Sequence, residues 1–139
     1  MVEERLAGDE GRAVPPVTAV RGGERASSRV RWRRDGDTCT VEAAGPWGAA
    51  AATASDAFGA LADVRRKLEA QGWLLAVAGA RRDAYPSGML REQGGGQVYL
   101  LVPGRPAEQR LDTFADAPPE AVTTVDQQRE AYEEWWKSV

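Results

Sequence analysis

The stretch Arg29-Val30-Arg31-Trp32-Arg33-Arg34-Asp35-Gly36-Asp37-Thr38-Cys39-Thr40-Val41-Glu42 decides the fold. Its first five residues alternate strictly between charged and apolar, the period of a half-buried strand. Asp35-Gly36 is a favoured two-residue turn, so the chain is expected to double back as a hairpin. With Arg34 set opposite Asp37, Trp32 meets Cys39 and Val30 meets Val41 on one face. Arg31 then meets Thr40 and Arg29 meets Glu42 on the other, a charge match suited to solvent. A sheet with one dry face needs a cover, and the sequence that follows supplies one.

Beyond the Gly45-Pro46-Trp47-Gly48 break and an alanine stretch, Ser55 is placed to cap a helix, with Asp56 at its positive end. Ala57, Leu61, Val64 and Leu68 form one stripe with Phe58 beside it. Arg65, Arg66 and Lys67 fall mostly off the stripe, and Gly72 ends the helix. Residues 73–80 (WLLAVAGA) are a nearly unbroken apolar run of strand length, expected as a central strand. A second run at 98–102 stops at Pro103, and 110–114 has the look of an edge strand. Thr124 with Gln127 is a capping box. It opens a last helix to about Ser138, on which Val125, Tyr132, Trp136 and Val139 recur at helical spacing with Trp135 adjacent. The order is ββαβββα. It implies an α+β domain over residues 29–139, with two helices packed on one face of a mainly antiparallel sheet.

On the N-terminal side, residues 1–28 hold few large apolar side chains and are interrupted by Pro15-Pro16 and Gly22-Gly23. They are expected to form a disordered or extended arm, with a short extended piece at 17–20. The whole chain, 139 residues, is the length of one domain. Its apolar share is dominated by 24 Ala, against 13 Val, 9 Leu and no Ile, so bulk in the core is expected from ten aromatics.

Composition excludes several chemistries. Without His, the commonest general base and metal ligand is missing. A single Cys leaves no internal disulfide, zinc cluster or redox pair. Neither a metal nor a cofactor is expected, and no catalytic residue is assigned. The 16 Arg against 2 Lys, with no Asn, resemble the codon usage of a GC-rich genome, so arginine richness does not by itself point to phosphate. Net charge is −3, unevenly spread: residues 1–34 carry eight Arg against five acids, residues 108–139 eight acids against three bases. Nucleic acid is therefore not an expected partner. The opening MVEERLAGDE has neither a basic nor an apolar leader region, and no run approaches a membrane span, so a cytoplasmic location is expected.

Three patterns invite a functional reading and are better explained by structure. Gly95-Gly96-Gln97 matches the tripeptide of translation release factors. The polar residues that should follow are absent, however, and the C-terminus is acidic, so the glycines are expected to serve a turn before a strand. The arginines around Trp32 point away from its face and cannot interleave with it as a stacking platform. The pairs Asp112/Asp116 and Glu133/Glu134 lack an accompanying base. The segment from Gly79 to Met89 (GARRDAYPSGM) differs, because a strand runs out there into a dense group of Arg81, Arg82, Asp83, Tyr85, Ser87 and Met89. Loops at strand ends carry function disproportionately, and Arg and Tyr anchor interfaces.

The run GARRDAYPSGMLREQGGGQVYLL, with GRPAEQRLDTF and the tail YEEWWKSV, resembles small actinobacterial proteins of toxin loci, which are similar to the immunity proteins of polymorphic toxins. The resemblance covers roughly residues 55–139. It implies a non-enzymatic binding protein whose partner is a cognate toxin domain. The acidic C-terminal third suits a basic partner through electrostatic steering. The expected contact set is Arg81, Arg82, Asp83, Tyr85, Ser87 and Met89, with Glu133 and Glu134 of the last helix. The alternative is a small enzyme or anionic-ligand domain using the 81–96 loop. There Arg81 and Arg82 would hold an anion, and Tyr85 or Asp83 would act as acid or base.

Overall fold

A computed structural model describes residues 12–139, with side chains from Val14 onward. Of the arm expected at residues 1–28, residues 1–11 lie outside the described residues. The strands are β1 (Arg12–Ala13), β2 (Val17–Arg21), β3 (Glu24–Asp35), β4 (Thr38–Gly45), β5 (Gly48–Ala54), β6 (Leu74–Leu75), β7 (Ala84–Tyr85), β8 (Gln97–Leu100) and β9 (Arg110–Asp112). The helices are α1 (Ala57–Glu69), α2 (Gly88–Glu92) and α3 (Val125–Ser138), with 3-10 turns at Ala78–Ala80 and Pro119–Ala121. The larger sheet runs β5-β4-β3-β2-β6, with β1 also pairing β3; the smaller runs β7-β8-β9. Every pairing is antiparallel. The class is α+β.

The β3–β4 hairpin forms, but two residues out of the expected register. Asp35 faces Thr38, so Gly36-Asp37 makes the turn. Trp32 consequently pairs with Val41, Val30 with Ala43, Arg31 with Glu42 and Arg33 with Thr40. The cause is local. Gly36 has φ +62°, and no non-glycine residue described takes a positive φ. A turn centred on Asp35-Gly36 would have forced Asp35 into that region; placing Gly36 first avoids the cost. Because side chains alternate with a period of two, a two-residue slip keeps every face. Val30, Cys39, Val41 and Ala43 are all buried, and Arg29, Arg31 and Arg33 are exposed.

The boundary drawn at residue 28 moves toward the N-terminus. β2 and the first half of β3 form a second hairpin turning on Gly22-Gly23, and β2 also pairs with β6. Val17, Ala19 and Ser28 are buried, and the Ser28 hydroxyl donates to the Val17 carbonyl at 2.9 Å. Two small apolar residues at alternate positions were too faint a pattern to outweigh the prolines and glycines around them.

Helix α1 covers the inner face of the larger sheet, bringing Ala57, Ala60, Leu61, Val64 and Leu68 against Val17, Val30, Cys39 and Val41. Its cap is Asp56 rather than Ser55: the carboxylate accepts from Gly59 N at 2.7 Å and pairs with Arg91 at 3.0 Å. The 73–80 run is buried as expected, but it is not a central strand. Only Leu74–Leu75 form a strand, at the sheet's edge, and Val77 makes a lone antiparallel bridge to Asp116. The chain then tightens into the 3-10 turn, where Ala78 N and Gly79 N donate to Ala115 and Thr113 carbonyls at 2.8 Å. A Cβ on Gly79 would meet Thr113 Cγ2 at 2.7 Å, so this close approach admits only glycine. An unbroken apolar run signals burial on all sides without fixing the backbone, and here it is a short strand plus a tight turn. Among the described residues no helix is long and apolar enough to cross a membrane.

Candidate functional site

Helix α3 assembles the site. Thr124 caps it, accepting from Gln127 N at 3.2 Å, while the Thr123 hydroxyl bonds to the Gln127 side chain. Its buried residues are Val125 and Gln128, not a row of aromatics. Gln128 is the keystone. Its Nε2 donates at 2.9 Å to the carbonyls of Gly79, Arg81 and Ala84, and its Oε1 accepts from Arg65 Nη1 at 2.6 Å. Arg65, 2% exposed, also donates to Gly79 O at 3.1 Å and Thr123 O at 2.8 Å. Burial pulls its pKa down to about 10 despite Glu69 nearby. Glu69, 4.0 Å from Arg65, is itself pushed above the usual carboxylate range by burial, although it accepts from Val125 N. Arg65 thus leans on carbonyls and an amide more than on its carboxylate neighbour.

With Val125 and Gln128 facing inward, the helical repeat carries Tyr132 and Trp135 onto the same side and turns Trp136 outward. The expected stripe of Val125, Tyr132, Trp136 and Val139 is therefore corrected by about one position. Trp136 is 65% exposed. Trp135 is partly covered and spends its indole N–H on the carbonyls of Val102 and Arg105, at 3.0 and 3.1 Å. A polar residue inside the apolar stripe misaligned the pattern.

Strand β7 meets this helix with Tyr85. Its ring lies edge-on to Phe58 at 5.2 Å and stacks on Tyr132 at 4.3 Å, 16° from parallel. Tyr132 continues to Trp135 at 6.0 Å and Trp136 at 6.4 Å. The rings make an unbroken series from the buried Phe58 to the exposed Trp136. Tyr85, Tyr132, Trp135 and Trp136, together with Tyr99, Leu101 and Pro106, line an apolar groove of about 360 Å³. Trp135 and Leu101 also wall a second depression of about 410 Å³, which holds Arg82, Asp83, Ala131 and Glu134.

The sequence candidates are accordingly divided. Arg82, Asp83 and Glu134 share the second depression; Tyr85 and Ser87 line the aromatic groove on the other side of Trp135. Arg81 grips Asp83 through two bonds, at 2.8 and 3.1 Å, which hold its guanidinium more firmly charged. The Ser87 hydroxyl caps α2 by accepting from Leu90 N at 3.0 Å. Met89, half exposed, and Glu133, paired with Arg129 at 3.4 Å, line neither depression. No protein-family model matches the chain, and no curated protein does.

The glycine triplet is a joint. Gly94 and Gly95 have φ of +110° and +71°, and Gly94 O accepts from Ala57 N at 2.8 Å. A Cβ on Gly95 would lie 2.6 Å from Asp56 Oδ1, so the triplet is folded onto the start of α1. Gln97 opens β8 directly. The residues missed in the sequence are Arg65, Gln128, Tyr99 and the wall-forming role of Trp135. Arg65 had a signal: it stands four residues after Leu61 and three before Leu68, inside the stripe.

Proposed function

We propose that the protein is a non-enzymatic binding protein that acts in the cytoplasm as an immunity protein, occluding a cognate toxin domain with its aromatic end. The observation that carries this is Trp136, 65% exposed at the mouth of an apolar groove. Large exposed aromatics on a rigid support are what interface anchors are made of, because they bring area at little entropic cost. The stack from Phe58 to Tyr132 supplies the support. The resemblance of residues 55–139 to small proteins of toxin loci supplies the partner's class. Eight acids against three bases in residues 108–139 favour a basic partner.

The enzyme alternative draws less support. Asp83 is held by Arg81, and Tyr85 lies on the far side of Trp135 from Arg82. An anion bound by Arg82 would have beside it only an Asp83 already engaged by Arg81, and not Tyr85.

The test is protection of cells expressing the neighbouring toxin, with kinetics on the purified pair. Trp136→Ala should raise the dissociation rate about thirtyfold, roughly 2 kcal/mol, and Tyr85→Ala should act in the same direction. Charge reversal at Glu133 and Glu134 should mainly slow association and flatten its salt dependence. Turnover of a small substrate, lost in Arg82→Ala and without any protein partner, would replace this reading with the enzyme.

A further inference from the structure

We infer that the open edge of the larger sheet pairs with a second copy of this chain, β5 running antiparallel to β5 about a two-fold axis at Ala51. This surface is separate from the aromatic end, since no residue of β5 lines either depression. Gly45 and Gly48 close a two-residue turn as a hydrogen-bonded pair, and such pairs alternate along an antiparallel ladder. Ala50, Ala52 and Ala54 therefore spend their backbone groups on β4. Ala49, Ala51 and Thr53 point theirs away from it. Among the described residues these groups have one partner, Lys67 Nζ, which donates to the Ala51 carbonyl at 2.6 Å. A row of unpaired backbone groups on a regular strand is a template for another strand. The usual guards are missing from β5 itself: it has no proline, no charge and no bulge, and it meets β4 residue for residue. It is seven residues long, whereas the edge strands β6, β7 and β9 have two or three.

Register and charge select a copy of the chain as the occupant. With Ala51 facing its own image, Ala49 faces Thr53 of the other copy. Each facing pair then exchanges two N–H···O bonds, so every outward backbone group is used. A strand that pairs with its copy also sets residues near their like, and like charges so placed are destabilising. Among the strands of five residues or more, β5 alone carries no charge. The helix beside the edge supplies charge of both signs. A Cβ on Gly59 would stand 3.4 Å from Ala54 Cβ, and Lys67 reaches Ala51. The line Gly59-Asp63-Lys67, one helical turn per step, therefore follows β5. Asp63 is exposed, and neither it nor Lys67 makes an ion pair, whereas neighbouring Arg66 is tied to Asp126 at 3.0 Å. Pairing about Ala51 sets the Asp63 of each copy against the Lys67 of the other. Lys67 is thereby drawn off the Ala51 carbonyl, which becomes free to accept the incoming N–H. A self-complementary contact of this kind closes as a dimer and does not propagate.

The test uses the full chain in sedimentation equilibrium and amide hydrogen exchange. The mass should rise from one chain to two as concentration increases. Over the same range the amides of Ala49, Ala51 and Thr53 should pass from fast to slow exchange, while those of Ala50, Ala52 and Ala54 stay protected throughout. Ala51→Pro removes the central N–H, which makes no bond in the single chain. It should raise the dissociation constant about tenfold or more and leave the thermal midpoint within a few degrees of the parent's. Ala51→Lys should act likewise, because residue 51 faces Glu42 within the chain but faces its own image in the dimer. Asp63→Lys should weaken the dimer several-fold, and adding Lys67→Asp should restore it. A single-chain mass up to millimolar concentration overturns the inference. So does a dimer that survives both Ala51→Pro and Ala51→Lys, or one that lacks the alternating protection. If the three amides become protected only when the toxin partner is added, the edge belongs to a foreign strand and self-pairing is overturned.

Discussion

The two halves of α3 are made of opposite materials. Its first turns enter the body of the protein through Val125 and the amide of Gln128, a polar side chain buried to the last atom. Its last turns carry the largest apolar side chains of the helix, and Trp136 is left in solvent. Around α1 the same inversion holds: alanines, valines and leucines fill the core with a buried arginine among them. In this chain, size and hydrophobicity alone do not mark the inside. Small residues pack where backbone and backbone approach closely, a polar pair welds helix to loop, and the spare aromatic bulk is carried outward on a rigid stack.

The sharpest way to break this contrast is to remove part of the body. A chain beginning at Arg29 loses β2, which alone joins β3 to β6, together with Val17, Ala19 and Ser28. It should show no cooperative thermal transition by circular dichroism; a normal melt would mean that β2 is dispensable. Next in size is the weld. Arg65→Ala strands the Gln128 Oε1 and the Thr123 carbonyl inside the body, and should cost about 3–5 kcal/mol in urea denaturation. Combining Arg65→Met with Gln128→Leu should recover part of the loss, the non-additivity expected of a shared network. A cost under about 1 kcal/mol for Arg65→Ala would show that the network is incidental.

Two tryptophans then sharpen the comparison. Trp73 is buried against the larger sheet, edge-on to Trp47 at 5.9 Å. Trp73→Ala should cost about 3–5 kcal/mol, whereas Trp136→Ala should stay within about 0.5 kcal/mol. The smallest effect is a pH-dependent one. Burial raises the pKa of Glu69, so its ionisation opposes folding as pH climbs from the ordinary carboxylate range through the raised value. The stability of Glu69→Gln relative to the parent should therefore improve between pH 4 and pH 7, by less than about 1 kcal/mol. A difference that moves the other way would mean that Arg65 outweighs desolvation.

Most of the architecture was legible where residue patterns are periodic and punctuated: both faces of the β3–β4 hairpin, the extent of α1, and the start of α3 at Thr124. Parity carried the hairpin faces through a two-residue error in register, because only an odd slip exchanges them. What escaped were the places where a polar residue belongs to an apolar stripe. Arg65 and Gln128 each sit at a helical position that geometry assigns to the interior. Leaving Gln128 out of the stripe turned α3 by about one residue and put Trp136 in the core. The candidate site was half legible for the same reason. Tyr85, Arg82 and Asp83 were found from the crowding of the 81–89 loop. Their separation on either side of Trp135 depends on a contact between segments about fifty residues apart, which no local pattern encodes.

Cys39 lies on the inner face of β4 one residue pair from the β3–β4 turn, fully covered, and burial pushes its thiol further from ionisation. No other sulfhydryl exists in the chain. A thiol-reactive dye can therefore reach the protein only when β3, β4 and α1 part. Labelling rate becomes a clock for the opening of the body, read without engineering any residue. If the aromatic end and the body are coupled, occupying the groove will slow that clock; if they are mechanically separate, the clock will not notice.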